Sequence, residues 1–163
     1  MWRESVRGLA AGAVGTAALN IATYADMAVR GRPSSEMPAQ VAGTLAERAG
    51  VDLAAGVDAP KSSDEAQSTA TNRRSGLGAL LGYATGLGVG AVYGALRPHV
   101  RAPGLVLAPA LGLAAMGLSD APAITLGKSD PRSWGAAGWL ADLLPHLAYG
   151  LVTAGAYELM RAE

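Results

Sequence analysis

The sequence predicts an all-α membrane protein: a bundle of four transmembrane helices, with a short amphipathic helix in the loop between the first two. Three observations lead there. Half of the 163 residues are hydrophobic and only 16% are charged, against about 25% in soluble domains. Gly supplies 22 of the 163, well above the usual share of about 7%. Most of these glycines lie inside long uncharged runs, where a soluble helix would lose roughly 1 kcal/mol for each against Ala.

The stretch Gly78 to Gly94, GALLGYATGLGVGAVYG, shows the pattern most clearly. Gly78, Gly82, Gly86, Gly90 and Gly94 recur at every fourth position with no charge between them. In lipid the backbone must satisfy its own polar groups, so the segment stays helical despite its glycines. A glycine row is then a groove into which a second helix backbone can press. A span needs about 20 apolar residues, and this one is expected over residues 76–97.

The first span is expected over residues 6–29. Its length argues against a cleaved signal core, which usually runs 7–15 residues. Gly8, Gly12, Thr16 and Asn20 fall on one i, i+4 row, continued by Thr23 and Asp26 or Met27, so this stripe is expected to face other helices. The loop 31–75 follows. Pro33, Ser34 and Ser35 break the helix, and Met37, Val41 and Leu45 then mark a short amphipathic helix up to Gly50, a C-terminal stop. It is expected to lie at the membrane interface or to pack on its own bundle. Val51 to Lys61 reads as loop. Ser62-Ser63-Asp64-Glu65 reads as a capping box, from which a helix is expected to run through Arg73 and Arg74 into the glycine span.

Arg97-Pro98 ends that span. The third is expected over 104–126, kinked or broken around Ser119 to Pro122 because of its prolines. GKSDPRS makes a turn, and Trp134 and Trp139 mark a membrane interface. The fourth span, 135–160, carries Asp142, Pro145, His146, Tyr149, Thr153 and Tyr157. At this length a single integral-membrane domain is expected. Basic residues near span ends are too evenly divided for the positive-inside rule to fix the orientation. The expectation is a cytoplasmic long loop.

Net charge is zero, so no overall field points to nucleic acid. Cysteine is absent, which removes disulfides, thiolate nucleophiles and cysteine metal sites. No serine nucleophile elbow, Walker loop or dinucleotide fingerprint occurs, so the chain is not expected to be an enzyme or to carry a cofactor. A metal site from Asp26, Asp120, Asp142 and His146 would suit Mg or Mn, but no metal-ligand spacing supports one.

Ionisable groups inside a membrane are costly and therefore functional candidates. Counted at 1.5 Å per residue from the long-loop side, Asp26 lies about 5 Å deep, Asp120 about 9 Å, Asp142 about 10 Å, and His146 and Asn20 about 15 Å. The expected ion or proton pathway is therefore Asp142, His146, Asp120, Asp26 and Asn20. Asp142 and His146 are i, i+4 and share a helix face. The opposite half, with Gly8, Gly12, Gly90 and Gly94, is expected to be sealed by packing. These readings imply a small proton- or cation-handling channel or transporter. The alternative is a non-catalytic membrane scaffold or subunit that docks on a partner, or on a second copy, through its glycine face.

The segments GLAAGAVGTAALNIATYADMAVRGRPSSEMP, SGLGALLGYATGLGVGAVYG and SDPRSWGAAGWLADLLPHLAYGLVT resemble small, uncharacterised integral-membrane proteins of actinobacteria. The resemblance covers most of the chain. A more distant likeness, through the His-bearing last span, is to the YagU-like inner-membrane family. Both imply a multi-pass protein of the bacterial plasma membrane. Neither implies an activity.

Overall fold

The computed structural model describes residues 1–55 and 62–162. Part of the expected loop at Val51 to Lys61, and the final Glu163, lie outside them. The described residues form five α-helices and no strand: α1 (Trp2–Arg30), α2 (Met37–Arg48), α3 (Ser63–Leu96), α4 (Gly104–Thr125) and α5 (Ala136–Ala162). One-turn 3-10 helices at Arg97–His99 and Pro131–Ser133 lead into the last two connections.

The helix ends follow from local chemistry. Gly31 closes α1 in the left-handed region at φ 63°, where a Cβ would be strained. Gly50, at φ 72°, follows α2 in the same conformation. At the start of α3 the Ser62 hydroxyl accepts the Glu65 backbone N–H at 3.2 Å, which satisfies one orphan donor of the first turn. The helix then runs without interruption through Arg73 and Arg74 to Leu96. α4 was expected to kink or break near Pro122, and no break occurs: it is helical from Gly104 to Thr125. Each proline removes one backbone donor, and Pro122 stands only three residues from the helix end. The Thr125 hydroxyl donates to the Ala121 carbonyl at 2.7 Å.

Contacts divide the chain into two compact units, residues 1–34, 83–119 and 132–163, and residues 35–82 and 120–131. In the first unit α1 packs on α5 and on the C-terminal half of α3. The α1–α3 seam is backbone against backbone. A Cβ on Gly12 would lie 2.6 Å from the Gly86 carbonyl oxygen, and one on Gly8 would lie 2.8 Å from Gly94 Cα. The segment 104–119 of α4 meets α5 the same way, since a Cβ on Gly112 would lie 2.5 Å from the His146 carbonyl oxygen. Ala11, Ala108, Ala115 and Ala154 fill the core around Tyr93, Tyr149 and Tyr157.

In the second unit α2 lies on the N-terminal half of α3. A Cβ on Gly78 would meet the Pro38 carbonyl carbon at 2.6 Å, and Gly43 is covered by the Arg74 side chain. Arg74 pairs with Glu47 at 3.3 Å. Arg73 donates to the Leu53 carbonyl at 3.0 Å and to the Ala55 carbonyl, which ties the chain after α2 down onto α3.

Candidate functional site

The inner face of α5 gathers most of the buried polar chemistry of the first unit. Asp142, His146, Tyr149, Thr153 and Tyr157 recur at spacings of four, three, four and four, which keeps them on one face of a helix of 3.6 residues per turn. Tyr149, Thr153 and Tyr157 are fully buried and His146 is 8% exposed. Tyr149, Tyr157 and Thr153 are the largest fully buried side chains among the described residues, in a core that they share with Ala, Val89, Tyr93 and Leu111.

At one end, His146 Nδ1 lies 2.8 Å from the Asp142 backbone carbonyl oxygen and 3.3 Å from Asp142 Oδ1. A carbonyl only accepts, so Nδ1 is the protonated nitrogen and donates to it. The Asp142 side chain is 25% exposed, yet its Oδ2 is buried with no hydrogen-bond partner. Pro145, inside α5, deprives the Ala141 carbonyl of its usual helix donor one turn below. Acceptors therefore cluster at this end.

Further along, the Tyr149 hydroxyl donates to the Gly86 carbonyl of α3 at 2.6 Å. Beneath it, the Thr16 hydroxyl of α1 donates back to Gly12 at 2.8 Å. The Thr153 hydroxyl lies where a Cβ on Gly15 would stand. It is fully buried, with the Tyr149 side chain as its polar neighbour on the same helix. At the far end the Tyr157 hydroxyl donates to Glu4 Oε2 at 2.5 Å and approaches the Gly94 carbonyl at 3.4 Å. The Tyr157 hydroxyl first, and then the Arg7 guanidinium, hold the Glu4 carboxyl below its ordinary value of 4.5. Arg97, buried beside Tyr93, pairs with Glu158 at 2.5 Å.

The sequence-derived pathway residues have different surroundings. Asp142 and His146 are together. Asp26 is engaged by the Arg30 guanidinium, with one N–O contact at 2.6 Å, and by Arg32. The left-handed turn at Gly31 is what brings Arg32 back to it. The Asn20 amide stands 3.5 Å from the Tyr83 hydroxyl. Asp120 belongs to the second unit. Among the described residues no three His, Asp or Glu side chains group to hold a metal ion. Of the glycines, Gly8, Gly12, Gly86, Gly90 and Gly94 meet within the α1–α3 seam, and Gly78 meets α2. Gly82 has open space where its Cβ would be.

Sequence reasoning placed Tyr149, Thr153 and Tyr157 on the last span without assigning them to the pathway, and it passed over Glu4. The signal for the tyrosines and threonine was present in their spacing from His146. The i, i+3 spacing of Glu4 and Arg7 signals their pairing at 2.7 Å, but nothing local marks the bond from Tyr157, 153 residues away.

No protein-family model matches the chain, and comparison with curated proteins and with solved structures finds no match.

Proposed function

We propose that this chain is a multi-pass protein of the bacterial plasma membrane. Its four long helices, α1, α3, α4 and α5, span the bilayer, and the inner face of α5 handles protons. α3 and α4 contain stretches long and apolar enough to cross a membrane, of which only 28% and 33% is buried. Core helices of a water-soluble protein would bury most of such a stretch. The long helices also turn large apolar side chains outward, among them Leu9, Val14 and Ile21 on α1, Val92 on α3, Leu105 and Leu113 on α4, and Leu144 and Leu151 on α5. Apolar outside and hydroxyl-bearing inside is the distribution that lipid as solvent favours.

The observation that carries the proton reading is the Asp142–His146 pair at the head of the polar face. Histidine is the side chain whose charge changes near neutral pH, a carboxylate oxygen without a hydrogen-bond partner stands beside it here, and Asp/His chains act as relays inside membranes. The face continues from this pair to Glu4, so titratable groups stand at both ends. The test is proton flux into liposomes carrying the purified protein and a trapped pH dye. The expected result is flux above that of empty liposomes, falling at least tenfold in Asp142→Asn and in His146→Ala. Flux equal to that of empty liposomes, or unchanged in both variants, would remove the reading.

A second reading is a non-catalytic subunit that docks on a membrane partner or on a second copy. It is favoured by Gly82 and Gly88 of α3, where nothing lies within 4 Å of an added Cβ. Copurification of a partner, lost on Gly88→Leu, would support it.

A further inference from the structure

An open groove of about 420 Å³ runs along the outside of the first unit, between the start of α4 and the end of α5. The exposed Leu105 and Leu159 form its walls, Ala154 and Gly155 its floor, and Glu158 is its one polar lining residue. Gly155 keeps it open, since nothing lies within 4 Å of a Cβ added there. Leu105 is the second residue of α4, and Leu159 stands three residues before the end of α5. With the long helices across a bilayer, the groove therefore lies where acyl chains meet headgroups. An apolar slot open sideways at that level takes up a lipid chain and not water.

The charge around the groove selects the lipid. Glu158 does not set it, because its Oε1 accepts from the buried Arg97 at 2.5 Å, and the pair is neutral. At the same end of the unit Glu4 is taken by Arg7 at 2.7 Å. Among the described residues this leaves Arg3, Arg101 and Arg161 at that end, exposed and without a carboxylate partner. Two of them frame the groove. Arg161 stands three residues beyond Glu158 and seven beyond Ala154, on the same face of α5. Arg101 lies in the connection that leads into α4, four residues before Leu105. Each wall of the groove thus continues outward into a guanidinium. Long basic side chains at such positions carry their charge into the headgroup layer. Basic pockets between membrane helices bind anionic headgroups, and a guanidinium pairs with two phosphate oxygens at once.

We propose that this groove seats one acyl chain of an anionic phospholipid, with its headgroup phosphate held by Arg101 and Arg161. The proposal rests on the membrane-spanning reading and is independent of the proton reading. A zwitterionic phospholipid carries the same phosphate with a compensating ammonium, so two unpaired guanidiniums favour the anionic species. Each basic residue near anionic lipid contributes about fivefold in affinity.

Native mass spectrometry of the full chain released from detergent micelles measures the binding, with phosphatidylglycerol and phosphatidylcholine of identical acyl chains as the probes. The expected result is one phosphatidylglycerol bound at least fivefold more tightly than phosphatidylcholine. Arg101→Gln and Arg161→Gln should each lower phosphatidylglycerol affinity about fivefold and leave phosphatidylcholine unchanged. Gly155→Leu, which fills the groove where the helix has room for a side chain, should lower both at least tenfold. Equal affinity for the two lipids overturns the site and leaves the membrane reading standing. So does phosphatidylglycerol binding that survives Gly155→Leu or both arginine substitutions together. A chain that stays in solution without detergent and does not float with liposomes overturns the membrane reading, and the site with it. If Gly155→Leu fails to fold, the double arginine variant, changed only at exposed positions, still decides.

Discussion

Gly90 and Gly82 lie on the same row of α3 and meet different surroundings. A Cβ on Gly90 would fall 2.6 Å from Gly12 Cα, whereas one on Gly82 would meet nothing within 4 Å. Gly90→Ala is therefore expected to push α1 off α3 and to cost about 1–3 kcal/mol, the usual range for overpacking. Gly82→Ala is expected to stabilise by roughly 0.5–1 kcal/mol, because it removes backbone entropy at no steric cost. Reversible unfolding in mixed detergent micelles would measure both, and equal effects would contradict the assigned seam. Glu4 gives a pH test at the same scale. Its carboxyl titrates below 4.5 when folded, so its stabilising contribution is fully present above that value and is lost as pH falls through the folded pKa. Tyr157→Phe removes the leading cause of the shift. NMR titration of Glu4 should then show its pKa rising towards the ordinary value and the acid limb of stability losing part of its slope.

At the scale of elements, the helices were legible because apolar runs in this chain end on residues that cannot continue them. Gly31 and Pro33, Gly50, Pro98, and Gly127 punctuate the sequence, and helices α1 to α4 stop at or just before them. The continuity of α3 was legible from its capping serine. The continuation of α4 past Pro122 was not, because a proline near a helix end removes one hydrogen bond without ending the helix. The site was legible only in part, for a geometric reason. Rise per residue gives each side chain a depth, but depth leaves its direction around the helix axis open. Asp142 and His146 share one helix, so their spacing fixed both coordinates. Asp26 and Asn20 were comparable with them in depth alone, and their contacts are with Arg30, Arg32 and Tyr83. α2 offers its own test. It rests on α3 over Gly78, so Gly78→Leu should lift it. Amide exchange across residues 37–48 should then speed up, while exchange in residues 8–20 of α1 stays as in the native chain.

Across the molecule, the polar face of α5 is buried and the apolar faces of the long helices are not. This inverted arrangement makes sense in a solvent that cannot hydrogen-bond, where interhelical hydroxyl–carbonyl bonds and close glycine contacts hold helices together in place of a hydrophobic drive. The proton reading presupposes it. The absence of cysteine makes the test clean, since every introduced thiol is the only one in the chain. The most direct measurement is the reaction of a water-soluble maleimide with single-cysteine variants in lipid vesicles made permeable to the reagent. Leu9→Cys, Leu113→Cys and Leu151→Cys, on the outward faces of α1, α4 and α5, should stay unlabelled, while Lys128→Cys, in the turn after α4, should label fully. Labelling of the three outward positions at the rate of Lys128→Cys would place those faces in water and contradict the account.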